Sequence, residues 1–411
     1  MTESGTATHR EGTATGRLSI FLAAGEISGD LQAAHLATAI RRRDPSVRLY
    51  GCGGHRMQAA GVDIRSNTAE LGYVGLVEGL RFRRPMRRAR EDLRRLLLSD
   101  RPDLVVLVDG ERFNGFLIDF LHREGIPFVM YFVPQVWFWG RWRIGRIARR
   151  ARRVIPVSRA EQSLFRREGA RVSWHGHPLL DIVRPDADGD GVLRRQGLDP
   201  AAPILALMPG SRWQEIERHG PTLLAAARTL ATRDTALQFI MPLAAPHLRP
   251  ALERQIDDAG LTGRVRLLSD HAYTSVSRCR LALVSSGTAT LETALLGVPM
   301  VVFYRLHPVT YAVARILVTT RFIAMPNILL DDAVVPELIQ GEFTASRLVA
   351  EATQILDDPE RAASIRRRLA AIPALLGGGD VLDAVARTVL ADAVSTPVPA
   401  MTPPLGVVCT A

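Results

Sequence analysis

The sequence predicts an α/β protein of two Rossmann-like domains that face each other across a cleft, each a parallel sheet flanked by helices. With 411 residues, the chain is too long for one compact core and suits two domains. Short uncharged apolar runs, such as 104–108 and 281–284, are typical of parallel strands covered on both faces. These runs alternate with helical segments, and the alternation restarts at residue 204, which predicts a second parallel sheet.

The N-terminal half contains a series of predicted strands separated by helical segments. We expect strands at 18–24, 47–50, 104–108, 128–133, 154–157 and 172–174. Residues 25–30 form a predicted loop before a helix at 31–43, and this loop is expected to line a cleft at the carboxyl end of the sheet. Asp109 directly follows the strand at 104–108, where a carboxylate can act as a general base. Capping of the next helix is the alternative role for Asp109.

The C-terminal half repeats this pattern. We predict strands at 204–208, 237–242, 265–268, 281–284 and 300–304, helices at 213–233, 247–259 and 289–296, a helix ending near 319, and three more beginning near 344, 359 and 381. The turn at 209–212 follows the first of these strands. Its Arg212 is therefore a candidate for binding a diphosphate through a bidentate contact.

Residues 281–299 form the stretch around which the chain is organised. An apolar strand is followed by Ser285, Ser286, Gly287 and Thr288, and then by a helix that 297–299 terminates. A helix N-terminus with free amides suits a phosphate or a diphosphate. Glu292 lies about one turn into the helix, where its carboxylate can reach ribose hydroxyls. The alternative is an ordinary strand-to-helix turn with capping side chains.

The charge and the cysteines exclude several classes of protein. The net charge is +10, and all 52 basic residues are arginine. Without lysine, a Walker lysine or a pyridoxal phosphate Schiff base is excluded. A basic chain can bind nucleic acid or anionic lipid, or can simply reflect a biased composition. Cys52, Cys279 and Cys409 are scattered without CxxC spacing, so neither a disulfide framework nor a zinc site is indicated.

Two basic segments suggest contact with a surface. Residues 81–95 are predicted to form a basic helix beside an apolar segment, which is typical either of a membrane surface or of a solvated arginine face. Trp137, Trp139 and Trp142 lie beside arginines such as Arg143, which suits a lipid interface or stacking on nucleic acid. Packing of these tryptophans under the sheet is the third interpretation.

These motifs together resemble the lipid-A-disaccharide synthase family, which are inverting glycosyltransferases of the GT-B type. The resemblance covers roughly residues 18–390 and rests on the order and spacing of many short motifs. These are Gly25-Glu26 with Ser28-Gly29-Asp30, Gly53-Gly54 with Met57, Gly75 with Glu78, Asp109 with Phe113-Asn114, Pro134-x-Val136-Trp137, Gly176-His177, Pro209-Gly210-Ser211-Arg212, Ser286-Gly287-Thr288-Ala289 with Leu291-Glu292, Tyr304-Arg305, and Met325-Pro326-Asn327.

The resemblance implies transfer of 2,3-diacylglucosamine from its UDP carrier to 2,3-diacylglucosamine 1-phosphate (lipid X). The products would be the β-1′,6-linked lipid A disaccharide 1-phosphate and UDP, with inversion. Asp109 would be the base, Arg212 and Arg305 would hold the diphosphate, and Glu292 would hold the ribose. Further substrate-binding residues would be Ser28, Gly29, Asp30, Asn114, Ser211, Ser286, Gly287, Thr288, Ala289 and Asn327. No metal and no cofactor is expected if arginine and the helix dipole neutralise the leaving charge.

The expected partners follow from this reaction. They are the UDP-linked acylated donor, the acylated glucosamine 1-phosphate acceptor, and the anionic surface of the inner membrane, which Trp137, Trp139, Trp142 and Arg143 would contact. No nucleic acid is expected, and a homodimer is compatible with the sequence. Because no 18-residue apolar stretch and no signal peptide stand out, the expected location is cytoplasmic, peripheral on the cytoplasmic face of that membrane.

The expected domain boundaries follow the changes in composition. They are a disordered tail at 1–16, an acceptor and membrane-facing domain at 17–183, a linker at 184–202, a UDP-sugar-binding domain at 203–375, a C-terminal helix at 376–393 that packs back on the first domain, and a disordered tail at 394–411.

Some positions depart from the family pattern. The family usually has a second acid where this chain has Arg112, and a proline where it has Glu111, so Glu111 is a candidate substitute acid. Gln135 and Gly140 differ as well, and all four changes affect the acceptor half. The alternatives are therefore a divergent UDP-sugar transferase with another acceptor, or a UDP-sugar epimerase. An epimerase would need no tryptophan-rich segment that faces a membrane. A remote alternative is a basic protein without catalysis that binds membrane or nucleic acid.

Overall fold

The structure is a computed structural model that describes residues 17–68, 83–108, 111–133, 142–317 and 320–395. It defines only the backbone at 83–86, 111–113, 142–143, 313–314 and 316–317. The predicted N-terminal tail and nearly all of the predicted C-terminal tail lie outside the described residues.

The first sheet has six described strands, all parallel. They are β1 (Ser19–Ala24), β2 (Arg48–Gly53), β3 (Asp63–Asn67), β4 (Leu104–Val108), β5 (Phe128–Tyr131) and β6 (Arg153–Ile155). Their order in the sheet is β3-β2-β1-β4-β5-β6. Every residue of β4 is buried, as expected for an uncharged strand between two layers of helices.

The second sheet repeats the topology of the first. Its described strands are β7 (Ile204–Met208), β8 (Gln238–Pro242), β9 (Val265–Leu268), β10 (Leu281–Ser285), β11 (Met300–Tyr304) and β12 (Glu337–Ile339). The order is β12-β11-β10-β7-β8-β9, again with parallel neighbours. Two parallel sheets of one topology confirm the predicted α/β class with two Rossmann-like units.

Helices connect the strands and cover both sheets. In the first half they are α1 (Ile27–Arg43), α2 (His55–Ala59), α3 (Arg83–Ser99), α4 (Glu111–Arg123), α5 (Trp142–Arg150), α6 (Arg159–Arg167) and α7 (Leu179–Ile182), followed by α8 (Gly189–Arg195). In the second half they are α9 (Trp213–Arg233), α10 (Arg249–Asp258), α11 (Ala272–Ser277), α12 (Thr288–Leu295), α13 (Pro308–Leu317), α14 (Met325–Leu330), α15 (Ala345–Leu356), α16 (Pro359–Leu369), α17 (Ile372–Leu376) and α18 (Val381–Val394). Short 3₁₀ turns lie at Pro246–Leu248 and Gln340–Glu342.

The sequence prediction missed two edge strands and placed one strand where the structure has none. β3 is polar and half-exposed, and β12 has only three residues, so neither has the apolar run of a central strand. The strand predicted at 172–174 is a single bridge between Val154 and Val172. The helix predicted at 31–43 begins earlier, at Ile27, so the predicted loop at 28–30 is the first turn of α1.

The last helix, α18, lies against the N-terminal half. Arg43 of α1 donates to Asp383 of α18 at 2.6 Å, and Arg153 of β6 donates to the buried Asp392 at 2.5 Å. The helical stretch Pro359–Val394 contains an 18-residue window that is apolar enough for a candidate membrane span. However, it is divided into three helices, and α18 buries Val385 and Val389 in the core, which is the pattern of a packed helix.

Candidate active site

The topology of the two sheets defines where a site is expected. The strand order reverses between β1 and β4 in the first sheet and between β7 and β10 in the second. Ligands of open parallel sheets bind beyond the carboxyl ends of the strands at such switch points. The segments that follow these four strands are 25–30, 109–114, 209–212 and 286–290, which contain most of the residues predicted for the site.

An ion pair joins the two switch points across the cleft. Arg212, after β7, donates from Nη2 to the carboxylate of Glu26, after β1, and from Nη1 to Glu215 Oε1 at 3.0 Å. The side chains of Arg212 and Glu26 are 25% and 23% exposed. Desolvation opposes the charge on Arg212, but Glu215 and Glu26 raise the pKa of the guanidinium, which therefore stays charged. The cleft thus contains a cation held by one carboxylate from each half.

Glu215 fixes the turn that carries Arg212. Its Oε2 accepts from the amides of Ser211 and Arg212 at 2.8 and 3.2 Å, and its Oε1 accepts from the Tyr304 hydroxyl at 2.9 Å. Burial alone would raise the pKa of Glu215, but Arg212 and these hydrogen bonds outweigh burial and lower it. Gly210 has a φ of +132°, and a Cβ there would collide with Glu215. We missed Glu215 in the sequence, although an acid three residues after a helix N-cap is a known signal.

Ser286 holds the neighbouring turn in place. Its amide donates to Phe303 O at 3.0 Å, and its hydroxyl donates to Ile323 O at 2.8 Å. Both donors of Ser286 are therefore engaged within the protein. These hydrogen bonds anchor the turn between β10 and α12, and the predicted contact of Ser286 with substrate stays a prediction.

The three residues after Ser286 form the N-terminal end of α12, with Gly287 as its N-cap. Gly287 and Thr288 are exposed and Ala289 is half-buried. Amides in the first turn of a helix have no acceptor within the helix, and the amide of Thr290 is the first in α12 to bond back, to Gly287 O at 3.1 Å. Gly287 has a φ of +154° with nothing within 4 Å of where a Cβ would lie. This open turn at a helix N-terminus suits an anion.

Glu292 forms a second polar group on the same helix. Its Oε1 accepts from the hydroxyl of Tyr273 at 3.1 Å. Burial raises the pKa of Glu292, although Tyr273 and the charge of Arg56 lower it. Arg56 belongs to the first half and donates to Ala244 O of the second half at 3.1 Å. Glu292 therefore lies near the boundary of the two halves, and Tyr273 is a neighbour that the sequence did not reveal.

Asp30 has a structural partner in the first half. Its carboxylate is buried and accepts from the amides of Gly54, Arg56 and Met57 at 2.7, 3.1 and 3.1 Å. These are amides at the start of α2, so Asp30 caps that helix from α1. Asp30 thus joins β2 and α2 to the first turn of α1, and its predicted contact with substrate stays a prediction. Ser28 and Gly29 lie in the same turn.

Two predicted asparagines also serve the fold. Asn114 is buried and donates from Nδ2 to Ala23 O and Val108 O, both at 3.2 Å, which ties the ends of β1 and β4 together. Asn327 is buried and accepts from the amides of Val334 and Val335 at 2.9 and 3.0 Å. Both residues therefore hold loops in place, and their predicted contacts with substrate stay predictions.

Arg305 is directed to the edge of the second sheet. Its guanidinium donates to Phe343 O and lies 4.9 Å from the centroid of the Phe343 ring. Its Nε lies 3.4 Å from Gln340 O. These contacts tie β11 to the turn at 340–343, and the predicted contact of Arg305 with a diphosphate stays a prediction.

Several predicted residues lie outside the part of the chain that the structure describes. Asp109 follows the last residue of β4, and Trp137 and Trp139 lie in the undescribed stretch 134–141. Glu111 begins α4, and Trp142 and Arg143 begin α5, with only their backbones defined. Their predicted roles remain predictions. Within the described ranges, no group of three or more His, Cys, Asp or Glu side chains is arranged for a metal ion.

Comparison with known proteins agrees with this geometry. The family model described as lipid-A-disaccharide synthetase matches residues 20–372. A lipid-A-disaccharide synthase of Geobacter sulfurreducens is 39% identical over 371 residues, covering 90% of this chain and 96% of that relative. The enzyme of the same name from Neisseria gonorrhoeae is 36% identical over 375 residues, covering 91% and 96%.

Solved structures share the fold at low identity. UDP-GlcNAc 2-epimerase from Neisseria meningitidis, bound to UDP-GlcNAc, has a TM-score of 0.62 at 12% identity and covers 91% of this chain and 100% of that one. Anabaena HepE in complex with UDP-glucose has a TM-score of 0.53 at 14% identity, covering 91% and 99%. These similarities establish a common two-sheet architecture.

Proposed function

The chain belongs to the lipid-A-disaccharide synthetase family, and from that membership we propose how its two halves share the reaction. It is a glycosyltransferase of lipid A disaccharide synthesis. We propose that it transfers 2,3-diacylglucosamine from UDP to the 6-hydroxyl of 2,3-diacylglucosamine 1-phosphate. The observation that carries this proposal is the pair of anion-binding elements on adjacent strands of the second sheet, Arg212 after β7 and the open turn 287–289 after β10.

The second half is proposed to bind the donor. The diphosphate would accept hydrogen bonds from the amides at 287–289 and from Arg212, whose bidentate fork matches phosphate oxygens. Glu292, about one turn along α12, would accept from the ribose hydroxyls. As the bond between the anomeric carbon and the diphosphate breaks, negative charge develops on the leaving UDP. Arg212 and the N-terminus of α12 would stabilise that charge.

The first half is proposed to supply the base. Asp109 follows β4 at the switch point beside β1, so its position in the sequence puts it at the reactive edge of that sheet. The acceptor oxygen would attack the anomeric carbon from the face opposite UDP, which inverts the centre. Asp109 would take the hydroxyl proton in that step. Glu111, at the start of α4, remains a candidate for assisting with the acceptor.

The acceptor half is also proposed to contact the cytoplasmic face of an anionic inner membrane. Arg87, Arg88 and Arg95 of α3 are exposed, and Leu98 of the same helix is 53% exposed. Exposed arginine beside apolar side chains favours adsorption to anionic lipid. Flotation with vesicles of phosphatidylglycerol and phosphatidylcholine would test this. We expect binding that weakens with added salt and is absent with phosphatidylcholine alone, whereas equal binding to both would reject the proposal.

A turnover assay tests the reaction. The purified chain would be mixed with UDP-2,3-diacylglucosamine and 2,3-diacylglucosamine 1-phosphate in detergent with EDTA, and the products identified by mass spectrometry. Disaccharide 1-phosphate with one UDP released per linkage is the expected result. UDP binding without disaccharide would reject this acceptor, and would indicate that Arg112 has changed acceptor choice.

A further inference from the structure

His219 contacts the carboxyl ends of three adjacent strands in the second sheet. It is fully buried in the second turn of α9. Its Nδ1 lies 2.8 Å from Pro209 O, just after β7, and 3.4 Å from the hydroxyl of Ser285, the last residue of β10. Its Nε2 lies 3.1 Å from the amide of Arg305, just after β11. The sheet order β11-β10-β7 makes these strands consecutive neighbours.

The partners of His219 are compatible with a neutral ring. Pro209 O can only accept, so Nδ1 carries the proton. Nε2 faces both the amide N–H and the carbonyl oxygen of Arg305, at 3.1 and 3.3 Å, so in the neutral ring it accepts from the amide. Burial lowers the pKa of His219, which keeps the ring neutral. Glu215, one turn earlier on α9, and the two backbone groups raise that pKa, whereas Arg218 lowers it.

The other groups that face the ring are uncharged. Phe303, Tyr304 and Phe343 surround it, with ring centroids 5.5, 5.2 and 5.6 Å from that of the imidazole. Tyr304 is held neutral because burial raises the pKa of its phenol, and its hydroxyl donates to Glu215. The aromatic surroundings leave no room for the ring to turn away from its three partners without losing this packing.

The three strand ends that His219 contacts carry the proposed donor site. Pro209 begins the turn of Arg212, Ser285 precedes the open turn at 287–289, and Arg305 follows β11. We propose that neutral His219 is a positioning residue for the donor diphosphate, because it holds the turns after β7, β10 and β11 at fixed separations. This inference rests on the proposed binding of a UDP-linked donor in the second half and adds a residue that does not itself touch the donor.

Protonation would change this arrangement. A charged imidazole presents N–H groups at both nitrogens, so Nε2 would lose the hydrogen bond from the amide of Arg305 and would have to donate to Arg305 O, 3.3 Å away. Because the pKa is lowered from its ordinary value, the neutral form predominates at about pH 6.5 and above, and the charged form gains only at lower pH. Donor affinity should therefore fall as the pH drops below about 6.5, and by more in the wild type than in a variant that does not titrate at position 219.

The test separates positioning from general stability. We would measure UDP affinity by calorimetry, and donor and acceptor KM in turnover, from about pH 5.5 to about pH 8. His219→Gln can still accept from Arg305 but does not titrate, and His219→Leu removes both hydrogen bonds. Expected are a loss of about tenfold or more in UDP affinity for His219→Leu, partial rescue by His219→Gln, and a weaker pH dependence for His219→Gln than for the wild type, since the terminal phosphate of UDP itself titrates at about pH 6.

A matched control is His177→Gln, which replaces a buried histidine of the first half. Burial lowers the pKa of His177 to about 4, so it does not titrate in this range. This variant should keep the wild-type pH profile of UDP affinity. If His219→Leu does not fold, the comparison of His219→Gln with the wild type still decides the question.

Two results would overturn the inference. One is a pH profile of UDP affinity that is unchanged in His219→Gln. The other is an equal rise of donor and acceptor KM in the His219 variants, which indicates a loss of fold alone. Calorimetry with UDP needs no turnover, so a His219-dependent titration without disaccharide product would reject the proposed acceptor and leave this inference standing.

Discussion

Arg212, which follows β7 of the second sheet, donates to Glu26, which follows β1 of the first. The guanidinium that is proposed to bind the diphosphate therefore already binds a carboxylate from across the cleft. Glu26 takes the place that an anionic ligand would take, while Glu215 holds the guanidinium from its own side. A diphosphate must therefore displace Glu26 or share Arg212 with it. Donor binding therefore competes with the contact that this ion pair makes between the two halves.

Replacing Glu26 should strengthen the binding of UDP. With Glu26→Gln, the ligand no longer competes with a carboxylate for Arg212, and a partly exposed ion pair contributes ~1 kcal/mol or less, so we expect about a two- to fivefold gain in affinity. Calorimetry with UDP measures this. Asp383→Asn is the matched control, because it breaks the similarly exposed pair between α1 and α18 outside the cleft. Weaker binding by Glu26→Gln would show that Glu26 assists the ligand.

Removing Arg212 should have the opposite effect. Arg212→Ala loses the bidentate contact and leaves Glu26 and Glu215 without their cation, so UDP affinity should fall by about tenfold or more, or ~1.4 kcal/mol. Arg233→Ala, at the other end of α9, removes an exposed pair with Asp357 and should leave UDP affinity unchanged. An Arg212→Ala protein that binds UDP normally would exclude Arg212 from the donor site.

Glu292 should lower the stability of the fold while it contributes to the recognition of ribose. Burial raises the pKa of Glu292 in the folded protein, so its charged carboxylate destabilises the fold. This loss of stability increases as the pH rises through the raised pKa. Glu292→Gln should therefore have a higher Tm than the wild type, by more at about pH 8 than at about pH 4.5. It should also lose ~1–2 kcal/mol of the preference for UDP over 2′-deoxy-UDP, about five- to thirtyfold.

Tyr273→Phe is the companion variant for this prediction, because it removes the hydroxyl that donates to Glu292 at 3.1 Å. It should reduce the preference for ribose less than Glu292→Gln does. If the Glu292→Gln protein keeps the full preference for ribose, Glu292 does not bind ribose and has only a structural role at the boundary between the halves.

Asp109 should be essential for turnover and dispensable for folding. Asp109→Asn removes the proposed base, for which general base catalysis gives a loss of about 100- to 10,000-fold in kcat. UDP affinity and Tm should change little. Asp103→Asn is the control at the opposite end of β4, where Asp103 accepts from Ser19 at 2.8 Å, and it should lower Tm with kcat retained. Near-normal turnover by Asp109→Asn would transfer the role to another group, Glu111 being the first to examine.

Asp30 should matter for stability and not for UDP. Asp30→Ala leaves three amides at the start of α2 without their acceptor, which predicts a loss of about 2 kcal/mol or more of folding free energy. Chemical denaturation measures this loss, and calorimetry should show unchanged UDP affinity in the folded protein. A selective loss of UDP affinity with normal stability would return Asp30 to the set of ligand-binding residues.

The local signals in the sequence were sufficient for much of the fold. The uncharged run of β4 and the pattern of α9 placed both elements at their observed bounds. The same signals were weak for β3, which is polar and lies at the edge of the sheet. The periodicity of apolar residues arises because one face of a segment is buried. A half-exposed edge strand buries little of either face, so its sequence shows only a weak periodicity.

Roles within the site were harder to predict. Asp30, Asn114 and Asn327 are predicted as ligands because they lie in motifs of the family that the sequence resembles. In the structure their hydrogen bonds go to backbone groups of other loops. A buried polar side chain must find partners, and the backbone of a distant segment satisfies it as well as a substrate does.

The sequence by itself determined the class of fold, the family, and the positions of Arg212 and the turn after β10 at strand ends, because these depend on local patterns and on the order of motifs along the chain. Only the tertiary structure decided which groups meet across long separations. It paired Arg212 with Glu26 at 186 residues' distance and placed His219 against Arg305 at 86. Such contacts depend on how parallel strands are ordered in a sheet and how two sheets face each other, which no local window of sequence contains.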